Sequence, residues 1–148
     1  VDVAAILATL ADDQTDAGRD VSLEGARSAV VEGRRLGLKR AFANLVDNAV
    51  KYGGRAEIRV TTETDGVAVT IADEGPGIPE AERARVFDPF VRLEPSRNRD
   101  TGGWGLGLAI ARRIVEAHGG ALELADNTPT GLLVRVRLPA THGEPRTT

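Results

Sequence analysis

The sequence predicts an α+β fold: a two-layer α/β sandwich in which about three helices cover one face of a mixed, mostly antiparallel sheet of about five strands. Two observations predict this fold class. Segments with apolar residues at helical spacing alternate along the chain with short segments in which apolar and polar residues alternate. The chain has 148 residues, which is the usual length of one domain with one core. We expect residues 1–140 to form that domain and residues 141–148 to form a polar tail.

Three helices are predicted from the spacing of apolar residues. Residues 1–17 form the first, which Gly18 can end. Residues 35–52 form the second, which ends at Gly53 and Gly54. Residues 106–118 form the third.

The other regular segments are predicted strands, at residues 21–23, 29–31, 56–62, 67–72, 121–124 and 132–138. Asp65 and Gly66 favour a tight hairpin between the third and fourth of these strands. Residues 73–79 are rich in glycine and proline and end the fourth strand. Residues 80–104 combine a short helical segment at 80–86 with an apolar and then a polar stretch, which predicts a long loop.

The composition excludes several classes of protein. Hydrophobic residues make up 41% and charged residues 28%, a balance typical of a globular chain. Because cysteine is absent, disulfides, thiolate zinc sites and cysteine nucleophiles are excluded, and two histidines are too few for a histidine-rich metal site. The net charge of −3 argues against binding to nucleic acid.

The sequence also predicts a location. It has neither a run of about 18 apolar residues nor the pattern of a signal peptide, so we expect no direct membrane contact and a cytoplasmic compartment. It contains no methionine. We therefore expect a fragment of a longer protein.

The helix at residues 35–52 carries a polar stripe beside its apolar face. The stripe consists of Asn44, Asn48, Lys51 and Tyr52. An asparagine oxygen can ligate Mg²⁺, a lysine can neutralise phosphate and a tyrosine ring can lie against a purine. The alternative is a partly exposed polar border, with Tyr52 packing at the helix end.

Two glycine-rich segments lie next to regular elements. Asp73 follows a strand and precedes Gly75 and Gly77, so its carboxylate can accept a hydrogen bond from an exocyclic amine; the alternative is an ordinary Gly-Pro turn. Residues 101–108 (TGGWGLGL) lead into the third helix, where N–H groups and the helix dipole favour phosphate, unless they form only a hinge. No Gly-Lys-Ser/Thr occurs, and Leu108 stands where the dinucleotide fingerprint needs its last glycine, so neither common phosphate motif is present.

Taken in order, these segments resemble the ATP-binding catalytic domain of sensor histidine kinases. That domain belongs to a superfamily that also holds type II topoisomerases, the Hsp90 chaperone and MutL proteins. Four motifs carry the resemblance: residues 44–52 (NLVDNAVKY) are similar to the asparagine box, 73–77 to the first glycine box, 87–92 (FDPFVR) to the phenylalanine box and 103–108 to the second glycine box. The match covers about residues 36–138 in the family's order and spacing.

The resemblance implies roles for the matched residues. Asn48 and Lys51 would be the catalytic residues, Asn48 holding Mg²⁺ against the phosphates of ATP and Lys51 contacting phosphate. Tyr52 would stack on adenine, and Asp73 would read its amino group. Residues 80–104 would be the ATP lid, in which Trp104 replaces the family's usual small residue. The other implied nucleotide-binding residues are Asn44, Gly75, Gly77, Ile78, Arg92, Gly103, Gly105, Leu106, Gly107 and Leu108, with Arg97 and Arg99 as candidates for contacting the γ-phosphate or a partner domain.

The resemblance also implies a reaction. The chain would bind Mg-ATP and donate the γ-phosphoryl group to a histidine on a separate dimerisation and phosphoacceptor domain, for relay to a response regulator. Hydrolysing members of the superfamily have a glutamate base where this chain has Asn44. His118 and His142 lack the context of a phosphoacceptor, and His118 is predicted to be a helix C-terminal residue. The parent protein would be anchored in the inner membrane. The alternative function is a nucleotide-gated binding module, anti-sigma-like or a pseudokinase, that controls a protein partner.

Overall fold

A computed structural model describes residues 1–87 and 104–140, and for residues 104–106 it describes the backbone alone. The described elements are α1 (Val3–Asp16), β1 (Val21–Gly25), α2 (Arg35–Gly53), β2 (Ala56–Glu63), β3 (Gly66–Ala72), two short 3-10 helices (Glu80–Glu82 and Arg85–Phe87), α3 (Trp104–Ala117), β4 (Ala121–Asp126) and β5 (Leu132–Pro139). The five strands form one sheet in the order β1-β2-β3-β5-β4. β1 and β2 are parallel, and the other neighbouring strands are antiparallel. The predicted fold class is confirmed.

The core lies between one face of the sheet and the three helices. Val60 of β2 pairs with Val69 of β3, which pairs with Val136 of β5, and all three side chains are buried. Alternate residues of the same strands, such as Arg59, point to the opposite face of the sheet, because successive side chains of a strand alternate between faces. Phe42 of α2 is fully buried against the apolar face of the sheet.

The helix boundaries follow from local chemistry. Asp2 begins α1, and its Oδ1 accepts a hydrogen bond from the Ala4 N–H at 3.0 Å. Gly54 ends α2 with a left-handed backbone (φ +81°), which glycine adopts without steric cost. In the described part of the chain, no helix combines the length and the apolar character that a membrane span requires.

The predicted strand at residues 29–31 is wrong. Val30 makes a single antiparallel bridge with Asp2, outside the sheet. Ala29 and Val31 are buried and Val30 is 62% exposed, so the alternation that predicted a strand is real. The segment runs beside the first residues of the chain: the Ala29 carbonyl accepts from the Val3 N–H, and the Val1 carbonyl accepts from the Val31 N–H, each at 2.8 Å. The backbone of this segment therefore has hydrogen-bond partners although the segment is not a strand of the sheet.

The predicted hairpin between β2 and β3 is present, with a small shift. Glu63 pairs with Gly66, so the two turn residues are Thr64 and Asp65, and Gly66 begins β3. A Cβ atom at Gly66 would lie 2.0 Å from the Leu138 carbonyl oxygen. Glycine is needed here because the neighbouring strand approaches closely. The predicted helical segment at 80–86 consists of the two 3-10 helices, whereas residues 88–103 and 141–148 lie outside the described residues.

Candidate functional site

A buried asparagine lies where α2 packs against α3. Asn48 is 9% exposed, and a Cβ atom at Gly107 of α3 would lie 3.0 Å from its Nδ2. Within the described residues, Nδ2 is buried and has no hydrogen-bond partner. An unpaired buried amide costs about 1–3 kcal/mol, so native structures rarely keep one without a functional reason. The arrangement is typical of a group that meets a ligand.

A buried carboxyl group follows the end of β3. Asp73 is 3% exposed, and its Oδ1 accepts hydrogen bonds from the N–H groups of Gly75 (2.9 Å) and Leu132 (3.1 Å). Burial raises the pKa of Asp73 above its usual value of 3.8, and the two amide hydrogen bonds act in the opposite direction. A carboxyl group with a pKa perturbed in this way is a candidate for a functional role.

Glycines surround Asp73 because other chain segments approach it closely. A Cβ atom at Gly53, the last residue of α2, would lie 2.3 Å from the Asp73 Cγ. One at Gly131 would lie 1.9 Å from the Asp73 carbonyl oxygen, and one at Gly75 would lie 2.6 Å from the Tyr52 carbonyl oxygen. Gly77 has φ +74°, a conformation that favours glycine. The end of α2, the 73–77 segment and the turn before β5 therefore meet around one carboxyl group.

The polar stripe of α2 borders these groups. Lys51 is exposed, and its Nζ lies 5.3 Å from the centroid of the Tyr52 ring, a distance at which a cation and an aromatic face attract each other. Tyr52 is half-buried and packs against the core. Asn44 is half-buried one helical turn before Asn48. The polar stripe therefore runs along α2 toward the end of the helix that contacts Asp73.

The remaining predicted site residues fall into three groups. Ile78 and Leu108 are buried in the hydrophobic core, at 3% and 0% exposure. Gly105 and Leu106 belong to the first turn of α3, which begins at Trp104. Arg92, Arg97, Arg99 and Gly103 lie outside the described residues.

The sequence analysis missed the turn between β4 and β5. Asn127 in this turn donates a hydrogen bond from Nδ2 to the Asp73 carbonyl oxygen at 2.7 Å, and Leu132 contacts Asp73 through both of its backbone polar groups. The only sequence signal is the polar and glycine content of residues 126–131, which predicts a turn and no contact with a distant residue.

His118 lies away from this site. It follows the end of α3, where its ring Nδ1 donates to the Ile114 carbonyl oxygen at 2.8 Å, and its Nε2 accepts from the Arg34 N–H at 3.0 Å. Arg34 precedes the start of α2, about 20 Å along the helix from Asn48. The contacts of His118 therefore connect the end of α3 with the start of α2.

The site suits a hard cation only if a ligand supplies most of the oxygens. Among residues 1–87 and 104–140, no group of three or more histidine, cysteine, aspartate or glutamate side chains is arranged to hold a metal ion. The amide of Asn48 offers one oxygen of the kind that Mg²⁺ prefers. It fits a Mg²⁺ ion that arrives with phosphate oxygens.

Sequence comparison places this chain in a family. A profile of the histidine kinase-, DNA gyrase B- and HSP90-like ATPases matches residues 33–142. Sensor histidine kinase GtrS of Pseudomonas aeruginosa is 39% identical over 139 residues, which are 94% of this chain and 28% of GtrS. Signal transduction histidine-protein kinase/phosphatase MprB of Mycobacterium sp. strain KMS is 48% identical over 106 residues, which are 68% of this chain and 20% of MprB. The chain spans less than a third of the length of either relative.

Solved structures share the fold. The ATP binding domain of PrrB from Mycobacterium tuberculosis superposes with a TM-score of 0.78 at 31% identity, covering 95% of each chain. The histidine kinase domain of the E. coli osmosensor EnvZ has a TM-score of 0.73 at 35% identity, covering all of this chain and 92% of that one.

The chain therefore belongs to the family of histidine kinase-, DNA gyrase B- and HSP90-like ATPases. Its named relatives and structural neighbours are sensor histidine kinases, and it is a catalytic ATPase domain of that type. These comparisons support the histidine kinase interpretation and not a nucleotide-gated binding module.

Proposed function

We propose that this chain binds Mg-ATP between α2, α3 and the segment that follows β3, and that it donates the γ-phosphoryl group to a histidine on a separate dimerisation and phosphoacceptor domain. The phosphoryl group is then relayed to a response regulator. The observation that carries the proposal is the buried Asn48 side chain, which lies against the start of α3 and whose Nδ2 has no partner within the described residues. The start of a helix favours phosphate.

Asp73 is the group that reads adenine. Both of its amide hydrogen bonds use Oδ1, so Oδ2 is the acceptor for the exocyclic amine. Tyr52 covers one face of the base, and the Lys51 ammonium group beside its ring neutralises phosphate. Gly75 and Gly77 complete the base side of the site.

Asn48 contributes its side-chain oxygen to Mg²⁺, and Mg²⁺ when bound neutralises charge on the phosphate oxygens. Asn44, one turn earlier, carries an amide and cannot act as a base for water. The site therefore orients and holds ATP for transfer, and its contribution to the reaction is positioning and electrostatic stabilisation.

The other predicted residues belong to this proposal. Ile78 and Leu108 support the site from the hydrophobic core. Gly107, beside Asn48, shapes its phosphate side. The family resemblance implies that residues 80–104 are the ATP lid and that further nucleotide-binding residues are Arg92, Gly103, Gly105 and Leu106. Residues 1–140 are one catalytic domain of a kinase. The parent protein is anchored in the inner membrane, and this domain lies on its cytoplasmic side.

The test is phosphoryl transfer from γ-³²P-ATP by a fused protein in which this chain replaces the matching 28% of sensor histidine kinase GtrS, a relative that matches 94% of this chain. We expect acid-labile, base-stable label on the acceptor histidine, lost when that histidine is replaced by alanine. Lys39→Ala, an exposed change on α2 outside the four motifs, is the matched control and should leave the label unchanged. ATP binding without label in the fused protein would contradict transfer, and rapid release of inorganic phosphate would indicate a hydrolysing enzyme.

A further inference from the structure

The β4–β5 turn, residues 127–131, holds the segment that carries Asp73. Asn127 Nδ2 donates to the Asp73 carbonyl oxygen at 2.7 Å. The Thr130 hydroxyl donates to the next carbonyl oxygen, that of Glu74, at 3.3 Å. Directly after the turn, the Leu132 N–H donates to Asp73 Oδ1 at 3.1 Å, and the Asp73 N–H donates to the Leu132 carbonyl at 3.0 Å.

The turn itself is closed and close to Asp73. The Asn127 N–H donates to the Gly131 carbonyl oxygen at 3.0 Å, which fixes the loop between its two ends. Gly131 has φ +111° and is buried, and no side chain fits between it and the Asp73 carbonyl. The Asn127 side chain is half-buried, so its hydrogen bond is partly shielded from water.

These contacts fix a particular peptide plane. Asp73 is held at its N–H and its carboxyl group by Leu132, and at its carbonyl by Asn127. The carbonyl belongs to the Asp73–Glu74 peptide, and the Gly75 N–H that donates to Asp73 Oδ1 belongs to the next peptide along the chain. If the Asn127 bond is lost, the Asp73–Glu74 peptide can rotate, the next peptide shifts with it, and the carboxylate loses the Gly75 N–H as one of the two donors that orient it.

We propose that Asn127 is a positioning residue for nucleotide specificity: it fixes the backbone of Asp73 so that the carboxylate presents Oδ2 to the exocyclic amine of adenine. This inference rests on the proposed function, in which Asp73 reads that amine. A site built to pair with an amine rejects an analogue that carries a carbonyl in its place, and the rejection depends on the acceptor staying in position.

The test compares ATP with ITP, which has a carbonyl oxygen at the place of the amine. Calorimetry in the presence of Mg²⁺ gives both dissociation constants for the wild type and for Asn127→Ala. We expect Asn127→Ala to weaken ATP binding roughly fivefold, the effect of one lost hydrogen bond, with ITP binding changed less than twofold. Both dissociation constants of a variant are measured on the same protein sample. Their ratio therefore does not change if part of that sample is unfolded.

Thr128→Ala is the matched control, because Thr128 lies in the same turn, is exposed and makes no side-chain hydrogen bond to the Asp73 segment in the described part of the chain. It should keep the wild-type ratio. Asn127→Asp, which keeps the shape but removes the donor, should lower the ratio as Asn127→Ala does. If the wild type prefers ATP and Asn127→Ala keeps that preference, the inference on Asn127 is wrong. If the wild type binds ATP and ITP equally, the role of Asp73 is wrong, and the inference fails with it.

Discussion

Folding favours the protonated form of the Asp73 carboxyl group, whereas the proposed binding of adenine uses the ionised form. Asp73 is 3% exposed, and burial raises the pKa of its carboxyl group above 3.8 despite two amide hydrogen bonds. The folded state therefore binds the proton more tightly than the unfolded chain does, and ionisation of Asp73 destabilises the fold as the pH rises through the raised pKa. A carboxylate kept at that cost is typical of a binding site.

Asp73→Asn separates the two requirements. Asparagine keeps an oxygen for the Gly75 and Leu132 amides and does not ionise, so we expect an unfolding free energy at neutral pH at least equal to that of the wild type. Its advantage should grow with pH from 3.8 to the raised pKa and stay constant above it. ATP affinity should fall roughly 30- to 100-fold, because the side-chain NH₂ now faces the adenine amine. Denaturant unfolding at several pH values and calorimetry measure the two effects; normal ATP binding by the variant would contradict the role of Asp73.

Local sequence predicts a binding role for Asp73 but does not predict which residues hold it in place. Asp73 follows a strand and precedes two glycines, and these features are contiguous. Asn127 is 54 residues away, and its contact depends on β5 pairing beside β3. Such a contact exists only once the sheet has formed, so no spacing in the sequence records it.

Helix α2 positions the site from two points along its length. Asn48 lies on its buried side, and its last residue, Gly53, packs directly on Asp73. Gly54, which ends the helix, has φ +81° and no atom within 4 Å of an added Cβ. The two adjacent glycines therefore serve different purposes: Gly53 allows close approach, and Gly54 allows a left-handed backbone.

Alanine at these two positions should give different results. Gly53→Ala places a methyl group 2.3 Å from the Asp73 Cγ, so we expect it to displace Asp73, to lower the unfolding free energy by about 1–3 kcal/mol and to weaken ATP binding at least tenfold. Gly54→Ala should cost about 1 kcal/mol of backbone strain and leave ATP affinity within a factor of two. Thermal unfolding and calorimetry on both variants test this; equal loss of ATP binding in the two would contradict the packing role of Gly53.

The spacing of apolar residues predicted most of the helices and strands correctly, but it predicted a strand at residues 29–31 that is not in the sheet. The helices and five of the six predicted strands are present because their apolar spacing matches the face that they bury. Residues 29–31 alternate in the same way, but their burial comes from packing beside residues 1–3. Alternation reports which side chains are buried and does not identify the partner strand.

The fold as a whole brings four distant segments to one end of the helical layer. They are the end of α2, the residues after β3, the start of α3 and the β4–β5 turn. The fold class could be predicted because the order of helices and strands is enough to define two layers. The burial of Ile78 and Leu108, and the connection of α3 to the start of α2 by His118, required the packed structure.

The proposal that this site holds Mg-ATP predicts a specific dependence on Mg²⁺. In this proposal Asn48 provides the protein's oxygen for the ion. Its NH₂ group is buried without a partner in the described part of the chain, so Asn48→Ala should not weaken the fold. The measurement is a calorimetric titration of the wild type, Asn48→Ala and the exposed control Lys39→Ala with ATP, with and without Mg²⁺. We expect Mg²⁺ to strengthen ATP binding in the wild type and in Lys39→Ala, and to have no effect in Asn48→Ala. An Asn48→Ala variant that binds Mg-ATP with wild-type affinity would contradict the proposal.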